Sequence, residues 1–118
     1  LFPYTTLFRS AVTGAVDFIL DDNRAARVFN GHPLLPRVVG SGCMASSVIA
    51  SFIAVEKDYF TATTAALAVL GVAAELAAEA LKGTVFGPAM FKTRLLDACY
   101  LLTPAELGRR AGVEFFTL

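Results

Sequence analysis

Gly40-Ser41-Gly42-Cys43-Met44-Ala45-Ser46-Ser47-Val48-Ile49-Ala50-Ser51-Phe52 reads as a glycine loop running into a helix. Two glycines let the backbone turn sharply and come close to a ligand, and the first amides of a helix have no intrahelical acceptor. A helix start of this kind attracts anions through those amides and through the positive end of the helix dipole. A thiol placed there ionises more easily, which makes Cys43 a candidate base. The plainer reading of the same residues is a tight turn that packs, with Cys43 as a small hydrophobe.

Beyond the loop, Met44, Val48, Phe52 and Val55 recur at steps of four, four and three, and Ala45, Ile49 and Ile53 form a second apolar row. The spacing predicts a helix from Cys43 to about Glu56, apolar over most of its circumference and therefore internal. An alanine-rich helix follows from about Tyr59 to Lys82, with Gly71 near its middle. That glycine costs about 1 kcal/mol relative to alanine, and the expected compensation is close approach of a neighbouring helix. Glu75 and Glu79, four apart on one face, read as a solvated stripe rather than an acid/base pair. Gly83 to Pro88 breaks this helix, and Pro88 suits the first turn of a third, along which Phe91, Leu95, Ala98 and Leu102 share a side. Thr103-Pro104-Ala105-Glu106 is a strong start signal for a final helix to about Arg110.

Before the loop, Ala11-Val12-Thr13-Gly14 reads as a strand end entering a turn. Val16–Leu20 and Ala26–Phe29, joined by Asp21-Asp22-Asn23, form a hairpin whose tip carboxylates are turn chemistry. Asn30 to Arg37 is a proline-punctuated connection, and His32, the single histidine, reads as positional first and as a minor catalytic candidate second. The tail Val113–Phe116 is an added strand or extraneous sequence. Residues 1–10 show neither strand alternation nor helical period and resemble translated sequencing-adapter sequence. They are read as a non-native leader, followed by a truncated domain over 11–118.

The chain has 118 residues, 56% of them apolar, enough for one domain with a core. Its net charge is zero and its ten Lys and Arg are scattered, which excludes a nucleic-acid binder. Cys43 and Cys99 lack metal-ligand spacing, so no metal site is assigned. Two thiols without a signal peptide read as reduced and cytoplasmic. The longest apolar run, Ala65–Ala74, falls short of the roughly 18–20 residues that cross a bilayer, so no membrane is expected.

The A-V-T-G stretch, Asn30-Gly31-His32-Pro33-Leu34, the run from Gly40 to Phe52, Ala54-Val55-Glu56 and Gly71–Glu79 together resemble the C-terminal part of the hydroxyethylthiazole kinase family, within the ribokinase-like superfamily. The likeness extends from about Ala11 to Glu114. It implies an α/β fold: the C-terminal part of a ribokinase-like three-layer sandwich, a few strands and a hairpin followed by three to four helices. It also implies phosphorylation of the hydroxyl of 4-methyl-5-(2-hydroxyethyl)thiazole by ATP with Mg2+ in thiamine biosynthesis or salvage, by a trimer with sites at subunit boundaries.

Carried over by position, Cys43 is the base, where most of the superfamily has aspartate, and Gly40 touches substrate. Thr13, Ser41, Gly42 and Cys43 contact ATP or form the anion hole. The chain departs from the family pattern at Val39, commonly Thr, and at Gly87-Pro88-Ala89-Met90-Phe91, commonly G-P-G-[ST]-F. The alternatives are a hydroxymethylpyrimidine kinase of the same superfamily, which also uses a G-x-G-C loop, and a non-catalytic truncated module.

Overall fold

The computed structural model describes residues 10–118; the expected leader lies outside them apart from Ser10. Three strands come first: β1 (Ser10–Val12), β2 (Asp17–Leu20) and β3 (Arg24–Val28). A single 3-10 turn, Leu35–Arg37, precedes helices α1 (Ser41–Ile53), α2 (Tyr59–Ala80), α3 (Pro88–Leu101) and α4 (Pro104–Arg110), and β4 (Val113–Thr117) ends the chain. The strands form one antiparallel sheet in the order β1-β2-β3-β4. The tail is therefore a strand, with Val113 opposite Val28 and Thr117 opposite Arg24.

The hairpin forms where its turn chemistry places it. Asp21 Oδ1 accepts the amides of Asn23 and Arg24 at 3.2 and 2.9 Å, so its carboxylate builds the turn instead of only facing water. Arg24 then donates to Asp58 Oδ1 and Oδ2, at 2.8 Å each, tying the hairpin to the residue that opens α2. Period-two alternation puts Ile19, Ala26 and Val28 on the inner face, where they pack with Phe60, Leu67 and Ala68 of α2. On the opposite face Val12, Phe18 and Phe116 stay 55%, 42% and 41% exposed, so the described residues form two layers: the sheet, and helices against one side of it.

α2 is the centre of the molecule. It has the length and composition to cross a bilayer, yet 67% of its most apolar window is buried inside the fold, which makes it a core helix. Its small residues let neighbours approach closely. Leu70, Ala73, Ala74 and Ala77 pack with Phe91 and Leu95 of α3, both fully buried, and with Val38. Burial of a side chain such as Phe91 or Leu95 contributes roughly 1.5–3 kcal/mol. Pro88 opens α3 and Thr103 caps α4 by accepting the Glu106 amide at 3.2 Å, as the start signals require.

Two expectations change. α1 is not internal: none of its residues is fully buried. Its two apolar rows are neighbours and make one half-buried face, Met44, Ala45, Val48, Ile49, Phe52 and Ile53, while Ser46, Ser47, Ala50 and Ser51 are exposed. The helix stops at Ile53, which leaves Val55 outside it and 85% exposed. Nor is Gly71 compensated by a helix. A Cβ there would lie 2.5 Å from the backbone oxygen of Asn30, so the close neighbour is the connection after β3.

Candidate active site

The helix start is made by one glycine rather than two. Gly40 has φ +86°, a left-handed conformation that costs a residue with a Cβ about 1–2 kcal/mol, and it sits at the N-cap with no side-chain cap. α1 therefore begins at Ser41, two residues earlier than the apolar pattern indicates, and Gly42 lies inside its first turn. The Ser41 amide is used by Val38 O at 3.1 Å, and the first intrahelical bond runs from Met44 N to Gly40 O at 2.9 Å. The amides of Gly42 and Cys43 are left as donors with no protein acceptor among the described residues. A Cβ on Gly42 would meet no atom within 4 Å, so the space beside it is open.

Ser41 and Gly42 line a cavity of about 500 Å3 together with Thr13 and Gly14 of the β1–β2 turn and Asp17, the first residue of β2. The connection from Phe29 to Pro36, Ala45 of α1, and Leu67, Leu70 and Gly71 of α2 also line it. The fold thus brings Thr13, Ser41 and Gly42, distant in sequence, to one cavity. Gly40 and Cys43 flank it without lining it. The Cys43 side chain is exposed, and its carbonyl accepts the Ser47 hydroxyl at 2.8 Å. His32 lines the cavity; its ring stacks on Phe91 with centroids 5.3 Å apart, and Nδ1 accepts the Leu34 amide at 3.2 Å.

Two lining residues escape a linear reading. Asp17 Oδ1 accepts the Gly14 amide at 3.1 Å and so holds the turn that presents Thr13. Burial pushes its carboxyl above the ordinary value, against the lowering effect of that amide bond. The signal was an Asp three residues after a turn glycine, hidden inside a β-rich run. Asn30 is 8% exposed and makes three side-chain hydrogen bonds, to Glu75, Arg110 and Gly112. Its partners lie 45 to 82 residues away, beyond any local pattern.

Glu75 and Glu79 are not a plain solvated stripe. Glu75 accepts Asn30 Nδ2 at 2.8 Å, and Glu79 is bound by both terminal nitrogens of Arg110 at 2.7 and 3.0 Å. The Arg110 guanidinium offsets the like charges of the two carboxylates, and its hydrogen bonds hold the Glu79 carboxyl below the usual range.

The same residues fall within a known family. The hydroxyethylthiazole kinase family pattern matches residues 6–105. The chain belongs to the hydroxyethylthiazole kinase family. It is 54% identical over 104 residues to a hydroxyethylthiazole kinase of Moorella thermoacetica, covering 88% of this chain and 38% of that protein. With the Desulforudis audaxviator hydroxyethylthiazole kinase it shares 46% identity, over 89% of this chain and 37% of the relative. The solved structure of the Pyrococcus horikoshii hydroxyethylthiazole kinase superposes with a TM-score of 0.85 at 39% identity, over 93% of this chain and 41% of that one. The α/β fold is thus that of a ribokinase-like kinase, and the chain spans under two fifths of the length of these curated relatives.

Proposed function

We propose that this chain supplies the phosphate-binding and base-bearing part of an enzyme that transfers the γ-phosphoryl group of ATP to the hydroxyl of 4-methyl-5-(2-hydroxyethyl)thiazole, in thiamine biosynthesis or salvage. The observation that carries it is the convergence of Thr13, Ser41 and Gly42 on one cavity beside the unpaired amides of Gly42 and Cys43. Phosphoryl transfer asks a protein mainly for positioning and for charge stabilisation on the transferring oxygens. Two fixed amide donors at a helix start supply the second without reorganising during the reaction. Thr13 contacts ATP, Gly40 contacts substrate, and Cys43 takes the proton released as the acceptor oxygen bonds to phosphorus and ADP leaves.

Mg2+ bound to ATP would neutralise phosphate charge. The cavity offers it a single carboxylate, Asp17, and no group of three or more metal-ligating side chains occurs among the described residues. That donor set fits an ion carried mainly by phosphates and water, not one held in a protein cage.

The exposed position of Cys43 supports a site closed by residues from outside this chain, in keeping with a trimer whose sites lie at subunit boundaries. The two free cysteines accord with a reducing, cytoplasmic setting. The pyrimidine alternative has no support among the named relatives. The test joins this chain to the remaining portion of the Moorella relative and assays ATP-dependent thiazole phosphorylation. Turnover that Gly42→Val abolishes, with the fold retained by circular dichroism, is expected. Normal turnover by that variant would remove the loop from the phosphate.

A further inference from the structure

Resting on the reading of this cavity as a phosphate site, we propose that Asn30 is a positioning residue: it holds the Asn30-Gly31-His32 wall of the cavity in place by anchoring it to α2 and to the α4–β4 junction. The side chain is nearly closed from solvent, and its polar groups are all engaged. Nδ2 donates to Glu75 Oε2 and to the Arg110 carbonyl, at 2.8 Å each, and Oδ1 accepts the Gly112 amide at 2.7 Å. An amide side chain has two N–H donors and one oxygen, and here both donors and the oxygen have partners. The backbone is fixed as well, because Gly71 leaves the room that the Asn30 carbonyl occupies.

The position of these contacts sets their consequence. Asn30 stands where β3 has ended and the cavity wall begins, and the preceding residue, Phe29, donates its amide to Gly112 O at 2.9 Å. Two residues on, His32 is held by its stack on Phe91. The wall is therefore pinned at two points. The Asn30 point depends on Glu75 and on a C-terminal segment that does not line the cavity. Aspartate at position 30 would keep the acceptor for Gly112, lose both donated bonds and set a second carboxylate against Glu75.

The test uses the 15N-labelled chain as wild type, Asn30→Asp, Glu75→Ala, and Asn30→Asp with Glu75→Gln. In the double variant the new amide at position 75 donates to the new carboxylate at position 30, restoring one bond with its polarity reversed. Without ligand, amide exchange at Gly31, His32 and Leu34 is expected to quicken about tenfold in Asn30→Asp and less in Glu75→Ala. Exchange along α3 should stay unchanged, and the double variant should return toward wild type. Titration with ATP, followed at Thr13, Gly14, Ser41 and Gly42, should show affinity falling about tenfold in Asn30→Asp and recovering in the double variant.

If ATP moves none of those amides in wild type, the phosphate-site reading fails, and the ligand-free exchange alone decides the positioning role. Unchanged exchange at Gly31–Leu34 would overturn the proposal. So would equal quickening throughout α3, which marks a merely structural asparagine. Should Asn30→Asp not fold, Glu75→Ala decides, since it removes one bond and places a good helix former on α2.

Discussion

Exposure of Cys43 makes its chemistry testable at the level of the single residue. A buried thiol would confuse loss of a base with loss of packing. An exposed one does not, because surface substitutions usually fall within about 0.5 kcal/mol. In the chain joined to the rest of a relative, Cys43→Ala and Cys43→Ser are expected to melt like wild type and to lose turnover, with residual rate from the loop amides. Cys43→Asp should keep or raise turnover and flatten its rise above pH 7, since a carboxylate is ionised throughout that range. It should melt no lower, because an acidic side chain in the first turn of α1 favours the helix. A fully active Ala variant would remove Cys43 from the mechanism. Gly71→Ala opposes two effects. Helix propensity favours it by about 1 kcal/mol, whereas displacing the Asn30 backbone costs about 1–3 kcal/mol. A Cβ 2.5 Å from a carbonyl oxygen cannot be relieved by a rotamer change, so a fall in melting temperature of several degrees is expected. A rise would show that the loop yields freely.

Between elements, the ties are ionic and their pH dependence has a definite sign. Hydrogen bonds from Arg24, and then from Thr61, hold the Asp58 carboxyl well below the usual carboxylate range. Hydrogen bonds from Arg110 hold the Glu79 carboxyl below its ordinary value. Groups with lowered values stabilise the fold above the ordinary value near pH 4 and lose that contribution as pH falls through the folded value. Asp17 has the opposite sign: its raised value favours the fold below the ordinary value, and the contribution is lost as pH rises through the folded one. With Asp21, Asp58 and Glu79 all lowered against the one raised carboxyl of Asp17, the melting temperature is expected to drop from pH 5 to pH 2. Arg24→Gln should lower it at pH 5 and flatten that drop, and added salt should do part of the same because the pairs are accessible to solvent. A profile unaltered by Arg24→Gln would mean that the hairpin–α2 clamp adds nothing to stability.

For the molecule as a whole, the proposed function makes the cavity one wall of a site that needs further residues to close it. Reaction requires nucleotide and acceptor to be held together, and near-attack positioning supplies much of the rate. Cys43 is exposed, and the outer face of the sheet presents Val12, Phe18 and Phe116 to solvent. These 118 residues alone are expected to show no thiazole phosphorylation above background, whereas the joined chain turns over. Robust ATP-dependent turnover by the isolated chain would contradict the incomplete-site reading.

Local rules determined most of the elements. The hairpin followed from turn residues between β-rich runs, α3 from Pro88, α4 from the Thr103 cap, and the loop before α1 from its glycines, because each of these signals acts over a few residues. The motif around Cys43 was also enough to indicate the family. Tertiary structure decided what such signals cannot carry. It showed that the two apolar rows of α1 are one half-buried face, since among the described residues one side of that helix meets its neighbours. It made Asn30 the tie between the cavity wall, α2 and the chain end, and explained Gly71 by that residue's backbone. It also assembled Thr13, Asp17, Ser41 and Gly42 around one cavity. The physical reason is separation along the chain: contacts that join residues 30, 75 and 112, or 13 and 42, come into being only when the sheet closes on α2, and no local periodicity records them.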